Sequence, residues 1–225
     1  GEVKIDFENK IDSKELNRMD RFTAMVILAS DEAIQQSAID DDSLNKDRIG
    51  VIIGSGIGGI STFEEQHKKL MNSPRRVSPF FIPMMIVDMA AGHISILYGL
   101  KGPNYTTVSA CSSGGHGIGS ALRILQRGEA DVIITGGTEA SISEMAVSGF
   151  SNMKALSRRN EEPTRASRPF DAERDGFVLG EGAGVIILET LDHARQRHAG
   201  IYAELVGYAA TADAYHMTHP HETGE

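Results

Sequence analysis

The sequence predicts an α/β fold on a largely parallel sheet, and three observations predict it. Short apolar runs rich in β-branched residues stand at 48–54 (RIGVIIG), 104–110 (NYTTVSA) and 130–137 (ADVIITGG), the pattern of strands buried on both faces. The first two lead into stretches with helical spacing, STFEEQHKKLMN at 61–72 and SSGGHGIGSALRILQRG at 112–128. Glycines mark both junctions, and strand alternating with helix is the signature of parallel strands joined by crossover helices.

The remaining elements follow in order. Asp12 with Glu15 fits a capping start for a helix running to about Ser37, with Leu16, Met19, Ala24, Ile27 and Ile34 supplying most of an apolar stripe. The stretch 78–103 has Pro83 placed for a first helical turn and Gly99 as a stop. It is apolar almost all round, so it is expected to be buried in a core or a subunit interface. GFVLGEGAGVIILE (176–189) suggests two strands meeting at a glycine-rich turn, LDHARQRHA (191–199) a helix, and IYAELVGYAA (201–210) a further strand-like run. The chain lacks an initiator methionine and stops at THPHETGE, so it is expected to be a piece of a longer protein.

Composition bounds the function. With 225 residues and 40% hydrophobic content the chain can bury a sizeable core. A formal net charge of -9 argues against general nucleic-acid binding. No apolar run approaches the roughly 20 residues needed to span a bilayer. The one cysteine, Cys111, leaves no internal disulfide and suits a reducing compartment, so the expectation is a cytoplasmic protein without a membrane or nucleic-acid partner.

Gly54, Gly56 and Gly59 form G-x-G-x-x-G directly after the first apolar run. A dinucleotide site would require a second strand ending in Asp or Glu about 20 residues past the first glycine. That window reads MNSPRRVSPFF, with no acid. The G-x-x-x-x-G-K-[ST] phosphate loop is absent too. The glycines therefore read as a tight turn where backbones pack closely.

Cys111 stands where a strand passes into a glycine-rich helix start, so its sulfur is expected to face the positive end of the helix dipole and free N–H groups. Helix N-termini are among the environments that favour a reactive thiolate, which makes Cys111 the candidate nucleophile. A hydrolase elbow would need glycine two residues earlier, where Ser109 stands.

Four blocks, SACSSGGHGIGSA (109–121), ITGGTEA (134–140), ASRPFDAERDGFVLGEGAG (166–184) and AELVGYAATADAYHMT (203–218), together resemble the β-ketoacyl-acyl-carrier-protein synthases, closest to the elongating type II enzymes of fatty-acid synthesis. The resemblance implies a thiolase-like fold, layered α-β-α-β-α, of which residues 1–225 would supply mainly the N-terminal half, without the first strand. It implies acyl transfer from the phosphopantetheine thioester of acyl carrier protein to Cys111, then decarboxylative condensation with malonyl-carrier protein. The Cys111 amide would be the first oxyanion donor. No metal or protein-bound cofactor is implied, since the carrier protein brings the phosphopantetheine.

The family's second oxyanion donor and its two decarboxylation histidines belong to the second half. None of His67, His93, His116, His193, His198, His216, His219 and His221 has their sequence context. His116 reads as a packed or solvated side chain, and the chain alone is expected not to complete condensation. By the same resemblance Ile57 and Phe150 flank the acyl channel beside Ala110 and Cys111, and Phe81 and Met85 approach it near a homodimer interface. Thr218 lies on the pantetheine side, where His219 departs from the smaller residue expected. Lys14, Arg18, Arg75, Arg76 and Lys154 match basic positions that meet the acidic carrier protein. Alternatives are a polyketide ketosynthase, a condensing enzyme using coenzyme A, or a non-catalytic partner of the same fold. Such partners typically lack the cysteine, so Cys111 favours a catalytic role.

Overall fold

The computed structural model of the chain describes residues 1–41 and 43–224. The first helical stretch forms as two helices, α1 (Ser13–Leu16) and α2 (Arg21–Ser37). Asp12 caps α1 as expected, accepting the Lys14 N–H at 2.8 Å. The continuous helix is interrupted because Asp20 serves as a new cap. Its carboxylate accepts the Phe22 N–H (3.2 Å) and both the N–H (2.9 Å) and hydroxyl (2.6 Å) of Thr62. Burial raises the Asp20 pKa despite these donors.

Strands β1 (Ile49–Gly54), β2 (Asn104–Thr107), β3 (Val132–Glu139) and β4 (Gly182–Glu189) form one sheet in the order β2-β1-β3-β4. β1 is parallel to both neighbours, with Val51 opposite Asn104 and Ile134, and β4 closes the sheet antiparallel, with Ile187 opposite Ile134. The alternation of side chains along the strands supplies two cores. Ile49, Val51, Ile53, Val132 and Ile134 face α2 and α5 (Met89–Tyr98), where Phe22, Val26, Ala90, Ala91 and Ile94 are buried. Ile52 and Ile133 face α6 (Ser113–Gln126), packing on Ala121, Ile124 and Leu125. The result is a helix, sheet, helix sandwich with the ends of β1 and β3 beside the start of α6.

Glycines allow that approach. A side chain on Gly54 would collide with the backbone of Ser113 and Gly114, and one on Gly137 would lie 3.1 Å from the Gly114 Cα. Arg48 ties the other end of the sheet together, gripping the Asp131 carboxylate with two bonds of 2.8 Å that hold its pKa below the usual aspartate range.

α3 (Ile60–Asn72) follows the glycine loop as expected, but the apolar stretch 78–103 divides into α4 (Phe81–Met85) and α5. The break falls where the loop backbone needs room. The Gly59 N–H donates to the Met85 carbonyl (3.0 Å), and Gly58 sits against Val87 at φ +73°. Nor is α5 buried all round, since Ile96 is 75% and Leu97 58% exposed.

Of the two strands expected over 176–189 only β4 forms. Gly176, at φ +144°, packs on the backbone of residues 155–157, and Phe177 makes a single parallel bridge to Leu156. α7 (Glu144–Asn152) had no clear signal in the sequence; it is capped by Ser143 and pinned to α3 by Lys68 on Glu144 (3.0 Å). α8 spans Leu191–Gln196. Residues 201–210 form no strand: they take no place in the sheet and lie mostly exposed, with Tyr208 half-buried against Gly119 and His116.

Candidate active site

β2 ends at Thr107, and the chain turns through residues 108–112 into α6. Ala110 occupies the left-handed region at φ +50°, a conformation that costs a residue with a Cβ roughly 1–2 kcal/mol. Side-chain hydrogen bonds hold it there. The Ser113 hydroxyl donates to the Ala110 carbonyl (2.7 Å) and accepts the Ser109 N–H (2.9 Å), while the Thr107 hydroxyl donates to the Ser113 carbonyl (2.8 Å). The turn's own backbone bonds run from Ser112 N–H to Ser109 O and from Ser113 N–H to Ala110 O, so the Cys111 N–H lies outside that ladder.

The outcome is an exposed thiol at the head of a 14-residue helix. Cys111 lines an open cleft of about 1020 Å³ with Ser109, Ser112 and residues 212–220. Thr218 is among them, and so are His216 and His219. The N–H groups of Thr218 and His219 both donate to His216 Nδ1 at 3.1 Å.

His116 shares a 2.5 Å hydrogen bond with the Ser109 hydroxyl and meets the Tyr208 ring edge-on at 6.3 Å. Among the described residues no group of three or more His, Cys, Asp or Glu side chains is arranged to hold a metal. Among the described residues no helix is long and apolar enough to cross a membrane.

The glycine loop does bind an anion, but the anion belongs to the protein. Glu139, at the end of β3, accepts the N–H groups of Gly56 (2.8 Å), Ile57 (3.0 Å) and Gly58 (3.3 Å) and the Ser55 hydroxyl (3.4 Å). Its position in ITGGTEA, 81 to 84 residues away in the chain, gave no local signal of this pairing.

A sequence model described as the N-terminal domain of β-ketoacyl synthases matches residues 5–194. The chain belongs to that family. The chain is 56% identical over its whole length to 3-oxoacyl-acyl-carrier-protein synthase 2 of Staphylococcus aureus, of which the match covers 56%. It superposes with a TM-score of 0.89 on a β-ketoacyl synthase from Burkholderia phymatum, at 33% identity, over 98% of this chain and 54% of that one. A second structure, a type II polyketide acyl carrier protein in complex with its ketosynthase bound to a hexaketide, gives a TM-score of 0.84 and 31% identity over 89% of this chain and 51% of that one. The chain thus spans about half the length of the relatives it matches, and the α/β layers are those of the thiolase-like ketosynthases.

Within the domain, the expected site residues fall into separate groups. Cys111, Ala110 and Thr218 are near one another, the last across the cleft. A side chain on Gly56 would lie 3.3 Å from the Ala110 carbonyl, and one on Gly59 2.7 Å from the Met85 Cα. Ile57, in the same loop, is 39% exposed between these contacts.

Phe81 packs on Phe63, with ring centroids 6.4 Å apart, and Phe150 meets Phe177 edge-on at 5.3 Å. Arg18 pairs with Glu15 and lies over the Phe80 ring at 5.0 Å, which brings α1 beside the segment carrying Arg75 and Arg76. Lys14, Arg75, Arg76 and Lys154 are exposed, and among the described residues their side chains hold no ion pair. Lys154 follows α7 at φ +58°.

Proposed function

We propose that Cys111 accepts an acyl group from the phosphopantetheine thioester of acyl carrier protein. The Cys111 sulfur attacks the thioester carbonyl, a tetrahedral oxyanion forms, and its collapse breaks the bond to the pantetheine sulfur, which leaves as the thiol. The Cys111 N–H, outside the turn's hydrogen-bond ladder, is the group available to the oxyanion. This acylation is the first half of a decarboxylative condensation that gives 3-oxoacyl-carrier protein in fatty-acid elongation. The observation that carries the reading is the placement of the chain's one cysteine, exposed on a pinned strand-to-helix turn at the mouth of a cleft.

The relative named 3-oxoacyl-acyl-carrier-protein synthase 2 is 56% identical, against 31% for the polyketide ketosynthase, which supports fatty-acid over polyketide chemistry. Thr218 is read as a contact for the pantetheine arm, and Ile57 with Phe150, Phe81 and Met85 as the wall of the acyl channel. Lys14, Arg18, Arg75, Arg76 and Lys154 are read as the docking set for the acidic carrier protein, which long-range attraction would steer onto the cleft. The exposed apolar side of α5 supports a homodimer, and residues 1–225 are read as part of a larger condensing-enzyme domain working in the cytoplasm. Release of carrier-protein thiol on mixing with acyl-carrier protein tests the proposal. A burst of one thiol per chain, absent from Cys111→Ala, is expected. No burst above the variant would refute it.

A further inference from the structure

Four donors converge on one carboxylate at the back of the nucleophile turn. Consecutive N–H groups aimed at a common point make an anion-binding concavity, and Glu139 fills this one. Oε2 takes Gly56 and Ile57, and Oε1 takes Gly58 and Ser55. The loop so held touches the nucleophile turn on one side: a side chain on Gly56 would lie 2.9 Å from Glu139 Oε2 and 3.4 Å from the Ala110 Cα. On the other side its Gly59 N–H is bonded to Met85. Ile57 stands between the two contacts in the loop, its own N–H fixed by Glu139 and its side chain 39% exposed.

We infer that Glu139 is a positioning residue that sets the depth of the channel beside Cys111. Its carboxylate fixes the loop, the loop fixes Ile57, and Ile57 limits how long a chain can lie against the thiol. The biological meaning of this role rests on the acyl-transfer reading, but its test does not require that reaction.

Cys111 is the one cysteine, so N-alkylmaleimides from N-methyl to N-octyl report on it alone by intact mass. The ratio of N-octyl to N-methyl labelling rates measures channel depth independently of intrinsic thiol reactivity. Glu139→Ala is expected to change that ratio about tenfold, the scale of one or two lost charge-assisted bonds, with the N-methyl rate nearly unchanged. Acetate, which refills the concavity, is expected to restore the ratio, and acetamide is not.

Glu139→Gln keeps one carbonyl oxygen for Gly56 and Ile57 and is expected to fall between native and alanine. Should the alanine variant not fold, the glutamine variant decides on the same ratio. An unchanged ratio in a folded variant, an equal slowing at every length, or failure of acetate to rescue a folded alanine variant overturns the role. Loss of the role while carrier protein still acylates Cys111 leaves the proposed function standing; a Glu139-dependent ratio without acylation removes only the proposed function.

Discussion

Gly59→Ala places one methyl group where the glycine loop meets the segment carrying Met85. Gly59 has φ -77°, which any residue adopts, so backbone conformation contributes nothing to the effect. The new Cβ would lie 2.5 Å from the Met84 carbonyl oxygen and 2.7 Å from the Met85 Cα. Ordinary contact begins near 3.4 Å, so main chain on one side or the other must move by about 0.9 Å, and no flexible side-chain tip is available to absorb it. Overpacking of this kind costs about 1–3 kcal/mol, and rigid backbone on both sides argues for the upper part of that range. Gly149→Ala makes the opposite case with identical chemistry. Gly149 lies within α7, with nothing within 4 Å of its added Cβ, and alanine there is expected to stabilise by about 0.5–1 kcal/mol. Urea unfolding of the two variants should therefore separate them by about 3 kcal/mol around the parent. A Gly59→Ala midpoint at or above that of the parent would show that the close approach between loop and Met85 is absent.

Two further outcomes follow from charge. Glu181 has a side chain 3% exposed and receives both Arg21 and the Val3 N–H; burial works to raise its pKa, but these donors outweigh it and hold it below the usual glutamate value. The pair therefore stabilises the fold above the unfolded glutamate pKa of about 4.5, and that stability is lost as pH falls through the lowered folded value. Arg21→Leu leaves the carboxylate buried and unpaired. It is expected to cost about 3 kcal/mol at pH 7 and clearly less near pH 4, where the carboxyl is free to protonate; equal losses at both values would contradict the pairing. Arg75→Gln with Arg76→Gln is expected to weaken carrier-protein binding severalfold at low salt and to flatten its salt dependence, measured by titration calorimetry, because among the described residues neither arginine holds an ion pair. Unchanged affinity and salt slope would remove these arginines from the docking set.

The fold was legible where local chemistry decides it. β1, β3 and the core of α6 follow from continuous apolar runs and glycine junctions, and the approach of Gly54 and Gly137 to Ser113 and Gly114 gives those glycines a packing reason. Errors arose where partners distant in sequence decide. Asp20 breaks the first helix because Thr62 supplies two donors to it. The helix over 78–103 divides because the Gly58–Gly59 backbone needs the room. Residues 201–210 have the alternation of a strand, yet a strand exists only where its N–H and C=O groups meet a ladder, and none is offered to them here. In the site, the importance of Cys111 could be read from its flanks. The occupant of the glycine loop could not, because Glu139 reaches it only through the parallel pairing of β1 with β3. His216 and His219 came into the cleft through a tail whose path no local pattern foretold.

The proposed acyl transfer depends most directly on the identity of the acylated atom. Intact-mass measurement after exposure to acyl-carrier protein, followed by peptide mapping, is expected to show one acyl group per chain, on Cys111, and none in Cys111→Ala. An unmodified parent chain, or an acyl group that persists in the variant, would contradict it.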